Sequence, residues 1–330
     1  MPRWITVAGL EFGTDKPGFS NESPGQLGTD YFLNRQRTFD ALARANFEGF
    51  RIPFRWERIQ PILGGPLDPD SVQHLRLLLT LAQKFGAKVL LDLHNFGSYT
   101  KVIDGVPTSC ALESDTSGQV ELDAEDFADL WARIAYAMSG LPGVAGYALM
   151  NQPHDLPDGS WVHASQAAVD AIRSEGDRTP VYVAGESWSR SSDWKSANPS
   201  APWIADPLNR VIYEAHCFLD QDGTGEYRQT YAEELAADPK LKDRSRTRLK
   251  PFLSWLKEGK ATGLIGKFGV PSNDQDWSAL LSSMLVDLDE ANVQSIWWAA
   301  GEQWGTHPLS LQPGRASDTP PPAYVELFRD

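Results

Sequence analysis

A (β/α)8, or TIM, barrel is the fold the sequence predicts, on three observations. Short apolar runs recur along the 330 residues, spaced roughly 30–50 residues apart as strand–helix units are. Stretches of helical period lie between them. At the C-terminal end of run after run stands a polar or aromatic residue, at the edge where barrels of parallel strands carry their chemistry. The chain is 41% hydrophobic, which fills one large core. No composition break marks a linker, so residues 1–330 are expected to form a single domain.

In order, residues 4–13 supply strand one, ending in Gly9-Leu10-Glu11-Phe12-Gly13. Residues 13–29, rich in Gly, Pro, Ser and Asn, form a loop. Residues 30–46 carry Phe32, Phe39 and Leu42 at helical spacing, and residues 47–54 are strand two. A helix over 70–85 aligns Leu75, Leu78, Leu79 and Ala82 on one face, and residues 87–94 are strand three. The polar stretch 96–122 reads as a long surface loop. Asp123 is placed to cap a helix whose Phe127, Leu130, Trp131, Ile134 and Met138 share one face, with Gly140 and Pro142 stopping it. Strand four runs over 146–150, a helix over 166–173, strand five over 180–186 and strand six over 210–216. An acidic loop, 220–225, follows. Then come a helix over 249–257, strand seven over 263–268, a helix over 277–291 and strand eight over 294–300. The tail, about 306–330 and proline-rich at 319–322, is expected to wrap the outside. Tyr182, Trp131 and the helix leucines are assigned to packing.

A net charge of −14 argues against nucleic acid and anionic membrane surfaces as partners, leaving a small molecule. Two cysteines, Cys110 and Cys217, make no disulfide framework and fit a reducing compartment. The start, Met1-Pro-Arg-Trp4, has no apolar leader run, so a cytoplasmic setting is expected. Neither His94 nor His216 has metal-ligand spacing around it, and no glycine-rich phosphate loop follows a strand, so neither metal nor cofactor is expected.

The predicted strand ends bring together Glu11, Arg51, His94, Asn95, Asn151, Gln152, Glu186, His216, Lys267 and Trp298. Any one of these is as easily a packing residue. Polar groups at the same end of so many strands are better explained by a pocket.

Several of these residues sit in longer motifs. They are Phe50-Arg51-Ile-Pro-Phe-Arg-Trp-Glu-Arg-Ile-Gln-Pro61, Leu91-Asp-Leu-His94-Asn-Phe96, Met150-Asn-Gln152-Pro-His-Asp155, Tyr213-Glu-Ala-His216 running on to Gly225, Ile265-Gly-Lys267-Phe-Gly269, and Trp297-Trp-Ala-Ala-Gly-Glu302-Gln-Trp304-Gly305. Across residues 9–313 the chain resembles glycoside hydrolase family 5, in particular its fungal-type endoglucanases. The resemblance implies a cellulase-like barrel in which Arg51, His94, Asn151, His216 and Trp298 occupy pocket positions. It also exposes three departures. Gln152 stands where the family has its acid/base glutamate, Lys267 where it has the nucleophile glutamate, and Phe218 where it has a tyrosine after the strand-six histidine.

Retaining hydrolysis needs two carboxyl groups about 5–5.5 Å apart. Gln152 moves no proton, and an ammonium at 267 repels the oxocarbenium-like centre that a glutamate stabilises. No retaining glycosidase activity is therefore expected. A laboratory inactivation would explain Gln152 but not Lys267 and Phe218. Two carboxylates, Glu302 and Glu186, are new relative to the family. Each is either a plain surface acid or a partner of Lys267. The leading expectation is proton-transfer chemistry, dehydration or isomerisation, on a small biosynthetic intermediate. Lys267, drawn down to about pKa 7–8, or His216 takes a proton, and Glu302, Glu186 or His94 returns one. Gln152 completes the catalytic set, and Arg51, His94, Asn95, Asn151, Phe218, Trp298, Trp304 and Glu11 hold substrate. A Schiff base on Lys267 is a variant. The alternative is a non-catalytic barrel that binds carbohydrate or a partner through Trp298, Trp304 and Asn151.

Overall fold

The computed structural model describes residues 3–115, 118–305, 307–312 and 322–328. Its strands are β1 (Trp4–Val7), β2 (Gly49–Phe54), β3 (Lys88–Leu93), β4 (Ser98–Ile103), β5 (Val106–Ala111), β6 (Val144–Ala148), β7 (Val181–Ala184), β8 (Val211–His216), β9 (Thr262–Phe268) and β10 (Gln294–Ala300). Eight of them close a parallel barrel in the order β1-β10-β9-β8-β7-β6-β3-β2, while β4 and β5 form a separate hairpin. The helices are α1 (Gln36–Arg44), α2 (Trp56–Ile59), α3 (Pro69–Gln83), α4 (Ala124–Met138), α5 (Ser160–Ser174), α6 (Trp194–Ala197), α7 (Tyr231–Ala237), α8 (Arg244–Gly259), α9 (Gln275–Glu290) and α10 (Pro322–Leu327). Among the described residues no helix is long and apolar enough to cross a membrane.

The (β/α)8 barrel is as expected, and so is the Asp123 cap, which forms a reciprocal capping box with Asp126 on α4. Asp68 and Asp274 cap α3 and α9 more simply, each through one side-chain oxygen accepting from backbone N–H groups of the first turn. Strand one is shorter than expected. It stops at Val7 because the chain turns at Gly9, where a Cβ would lie 2.6 Å from the Phe32 carbonyl oxygen. The expected loop 96–122 contains the β4–β5 hairpin, turned by Asp104 and Gly105, both at positive φ. Of the proline-rich tail, residues 319–321 lie outside the described residues.

The side-chain period of two builds the barrel interior in layers. Leu90, Asp92 and His94 point the same way along β3 and its exit, as do Ile212, Glu214 and His216 on β8. An apolar floor comes first: Leu90, Ala148, Leu264 and Ile296, with Trp4, Tyr182 and Ile212 packed against them. An ionic layer of Arg51, Asp92 and Glu214 lies above it, each at most 1% exposed. The third layer opens at the strand ends. Gly266 makes the middle layer possible, since a Cβ there would sit 2.2 Å from the Glu214 carboxylate and 2.6 Å from Arg51. The larger core, containing Phe39, Trp131, Trp161 and Leu281, lies between barrel and helices.

Candidate active site at the barrel mouth

Arg51 anchors the site from below. Its guanidinium donates to Asp92 at 2.7 Å, to Glu214, and to the Gly266 carbonyl at 3.3 Å. Burial opposes all these charges, but the mutual attraction prevails. The arginine is held more firmly protonated, and both carboxyls sit below their usual range. Each acid then orients a histidine two residues further along its own strand. Asp92 accepts from His94 Nδ1 at 2.8 Å, and Glu214 accepts from His216 Nε2 at 2.9 Å. These carboxylates fix the tautomers, leaving His94 Nε2 and His216 Nδ1 as acceptors. His216 Nδ1 has no partner among the described residues.

Burial, reinforced by the charge of Lys267, pushes His94 down to about 3. Burial pushes His216 to about 4 against the pull of Glu214. Both are neutral near pH 7. Because these pKa values lie below the ordinary 6.5, the stability they confer is complete above pH 6.5 and is lost as pH falls through about 4 and 3. Glu11 works in the opposite sense, since its raised pKa favours the fold at low pH. It is one group against two. Thermal melts should therefore show stability falling below pH 6.5, with His216→Asn flattening that slope; an unchanged slope in the variant would remove His216 as a source.

Lys267 is the register partner of His216 on the neighbouring strand and is 4% exposed. Its Nζ donates to His94 Nε2 at 3.3 Å and, at the outer limit, to Gln152 Oε1 at 3.5 Å. It lies 3.9 Å from the centre of the Trp298 ring. None of these partners is a carboxylate. Burial draws the amine down to about 7, helped by Arg51 and resisted by Asp92, Glu11 and Glu214. Trp298 stacks on His94 with centroids 5.5 Å apart and meets Trp304 edge-on at 5.4 Å. The Trp298–Ala299 peptide is cis.

Gln152 has a left-handed backbone and donates to the Trp188 carbonyl at 3.4 Å. Asn151 donates to Gln152 Oε1 at 3.3 Å, and its own Oδ1 has no partner among the described residues. Glu11 is 8% exposed. One oxygen accepts the Gly9 N–H at 2.6 Å and the other has no partner among the described residues. Burial raises it to about 7, against the backbone hydrogen bond and the charge of Lys267. Arg58 clamps both flanks of Glu11 by donating to the Leu10 and Phe12 carbonyls.

Five expected site residues are placed differently. Arg51, expected to hold substrate, is 0% exposed and spends its donors on Asp92, Glu214 and the Gly266 carbonyl, so it supports the site from beneath. Glu302 does not face Lys267: it binds Arg37 at 2.6 Å, the Arg35 N–H and the Thr38 hydroxyl, so it ties α1 to the loop after β10. Glu186 is half-buried, with its carboxyl raised by burial and by Asp158, and no contact joins it to Lys267. Asn95 is turned to the frame, accepting from the Trp56 N–H and donating to Glu57 and the Ser98 carbonyl. Phe218 is 6% exposed and packs against Gly225, where a Cβ would sit 2.9 Å from the ring. Two residues essential to the geometry, Asp92 and Glu214, were absent from the sequence-based site. The signal that finds them is an acid two residues before each rim histidine, on the same strand face. An aromatic platform was missed as well: His154 and Trp188 stack at 3.4 Å beside Phe96. Among the described residues no group of three or more His, Cys, Asp or Glu could hold a metal ion.

Residues 10–303 match the family described as Cellulase (glycosyl hydrolase family 5). Endo-beta-1,4-glucanase B of Emericella nidulans is 27% identical over 312 residues, covering 94% of this chain and 85% of that protein. The structure of Pseudomonas stutzeri endoglucanase Cel5A with cellobiose superposes with a TM-score of 0.83 at 31% identity, covering 99% of this chain and 91% of that one. XacCel5A with cellopentaose gives a TM-score of 0.82 at 27% identity, covering 99% and 97%.

Proposed function

This chain belongs to glycosyl hydrolase family 5, and from that premise we propose that it is an enzyme of the family's fold whose mouth moves protons on a carbohydrate-like small molecule instead of cleaving glycosides. The observation carrying this is the Lys267 amine, buried at a strand end without a carboxylate partner and held by His94 and Trp298. An amine near pKa 7 is a competent general base at neutral pH. A neutral amine has two N–H bonds, and His94 Nε2 and Gln152 Oε1 can accept both, which leaves the lone pair for substrate. In a dehydration, Nζ takes a proton from carbon, the C–H electron pair becomes the new C=C bond, and the adjacent C–O bond breaks. The ammonium then gives a proton to the departing hydroxyl, so water leaves and the amine is restored. An isomerisation uses the same first step and returns the proton to a different carbon. Asn151, whose Oδ1 has no partner among the described residues, orients the substrate. The free, buried cysteines Cys110 and Cys217 suit a cytoplasmic setting.

The test is incubation in D2O with a panel of sugar acids and keto sugars, read by mass spectrometry. Solvent deuterium or loss of water should appear in at least one compound, and Lys267→Met should reduce the rate by about 10³-fold or more. Hydrolysis of cello-oligosaccharides by rigorously pure protein would overturn the proposal. A stability titration gives a second test. With a folded pKa of about 7 against an ordinary 10.5, Lys267 binds fewer protons folded than unfolded between those values. It should thus make stability rise with pH across that window, by up to about 1.4 kcal/mol per pH unit. Lys267→Met should remove the rise.

A second reading is a barrel that binds carbohydrate without converting it. The cellobiose and cellopentaose complexes of similar structures favour it. Calorimetry showing tight oligosaccharide binding, with no exchange or conversion of any compound, would select it.

A further inference from the structure

We propose that Glu11 is the acid of this mouth: it delivers a proton to the departing hydroxyl of a β-hydroxy carbonyl compound, while Lys267 takes one from the carbon beside the carbonyl. The inference rests on the proposed reading of Lys267 as a base and goes further by assigning the second proton carrier and the substrate class.

Glu11 follows β1, and β10 alone separates that strand from β9, which carries Lys267. Neighbouring strands lie about 4.8 Å apart, so the two strand ends are roughly 10 Å apart, a gap that a sugar-sized molecule bridges. The Gly9 N–H, 2.6 Å from one Glu11 oxygen, folds the carboxyl back onto the end of β1. Arg58 fixes the chain on both sides by binding the Leu10 and Phe12 carbonyls. Phe12 stacks on Trp304 at 6.1 Å, Trp304 meets Trp298 edge-on, and Trp298 covers Lys267 Nζ. A line of rings thus runs from the flank of Glu11 to the amine. The second Glu11 oxygen is buried and has no partner among the described residues. An unsatisfied buried polar atom is costly, and a partner that arrives with the substrate accounts for it.

The other groups around the mouth do not supply this proton. Arg51 holds Asp92 and Glu214 ionised. Glu302 is bound by Arg37, and Glu186 makes no contact with Lys267. His94 and His216 are neutral near pH 7, and each has its one ring proton on a carboxylate. The charged groups acting on Glu11 are Lys267 on β9, Asp92 on β3 and Arg58 on α2. Burial outweighs them and raises the carboxyl to about 7, so near neutrality Glu11 can hold the proton that the amine gives up. The amine and the protonated carboxyl together bring no charge into the buried mouth.

The steps balance. Nζ takes the proton from carbon, and the C–H electron pair passes into an enolate. As the carbonyl re-forms, that pair becomes the C=C bond, and the C–O pair leaves with the hydroxyl, which takes the Glu11 proton and departs as water. The ammonium then returns its proton to the Glu11 carboxylate, restoring both groups. Lys267 by itself serves only a hydroxyl within reach of Nζ; Glu11 extends the reaction to one on the β1 side of the mouth.

Incubation in D2O with the sugar acids and keto sugars, D-gluconate and D-fructose among them, separates the two roles. Deuterium in the recovered compound reads proton removal by Lys267, and water lost reads proton delivery by Glu11. Glu11→Gln keeps an acceptor for the Gly9 N–H and an uncharged side chain, but has no proton to deliver. It should raise the ratio of deuterium incorporated to water lost by about 10²-fold or more, whereas a merely structural role would lower both and leave the ratio unchanged. Lys267→Met should abolish both. In the parent, water loss should be bell-shaped in pH with an alkaline limb beginning near 7, while exchange only rises with pH. A thermal melt checks that Glu11→Gln folds; if it does not, the parent's two profiles decide, and water loss without an alkaline limb overturns the proposal. An unchanged ratio in folded Glu11→Gln also overturns it and leaves the proton-transfer reading standing. So does exchange in the parent with no water lost from any compound. Neither exchange nor water loss from any compound would reject the two together.

Discussion

Returning carboxyl groups to both altered positions, Gln152→Glu together with Lys267→Glu, is expected to produce measurable hydrolysis of an aryl cellobioside. Neither single substitution should do so. The frame for that chemistry is intact: Arg51 ties Asp92 and Glu214 together, and these hold His94 and His216 in fixed tautomers beneath the mouth. By the resemblance, the groups to restore are the one that would attack and the one that would carry the proton. Gln152→Glu alone restores a proton carrier facing an amine, with no nucleophile. Lys267→Glu alone restores a nucleophile whose leaving group receives no proton. A general acid contributes about 10²–10⁴-fold, and the two groups act as one unit, so the gain should be strongly non-additive. The carboxyl introduced by Lys267→Glu would enter a site already holding Asp92, Glu214 and Glu11, which should raise its pKa and limit the recovered rate. Phe218→Tyr should add little, since the ring at 218 packs against Gly225. Rates measured on the single, double and triple variants decide the matter. A double variant no faster than the parent would mean that the mouth has diverged in shape as well as in its two acids.

The barrel was legible because a strand–helix alternation leaves a strong periodic trace, and because aspartates such as Asp123 mark helix starts unambiguously. What escaped was set by local chemistry that periodicity overlooks. Asp104-Gly105 between Ser98 and Ala111 is a hairpin turn pair, yet the surrounding polarity made the segment read as loop. Thr230 and Glu233 form a capping box ahead of α7, in a stretch too polar to show an apolar face. At the site, His216, Lys267 and Trp298 lie on the expected strands, while Arg51 is drawn beneath the mouth by its two acids. Residues on the following turns are harder to place. Asn95 lies one position past His94 but points into the frame around α2, and Glu302 turns back to α1. A loop side chain goes where its hydrogen-bond partners are, and those partners are remote in sequence. The charge state of Lys267 was within reach of sequence reasoning in direction, because a strand-end lysine in a barrel is desolvated. That its Nζ touches an imidazole, an amide and an indole face and no carboxylate was not, since that depends on where every neighbouring side chain is engaged.

Replacing Arg51 by Met is expected to destabilise the fold by about 3–5 kcal/mol, the usual effect of removing one partner from a buried ionic cluster. The side chain is 0% exposed and makes hydrogen bonds to two carboxylates and one carbonyl. Met fills comparable volume, so lost packing is a small part of the effect. The larger part is that Asp92 and Glu214 become two buried like charges above an apolar floor, and at least one must take up a proton. That proton would be gained at the expense of a histidine's orientation, because each acid also holds a ring nitrogen. The variant should therefore unfold at lower urea with an unchanged slope, and its loss should grow with pH as protonating the acids becomes harder. Adding Asp92→Asn and Glu214→Gln should recover much of the stability while leaving the mouth inactive, since the amides neutralise the stranded charges but no longer fix the imidazoles as carboxylates do. Were Arg51→Met as stable as the parent, the ionic layer would not be the foundation of the site, and the neutral histidines would need another source for their placement.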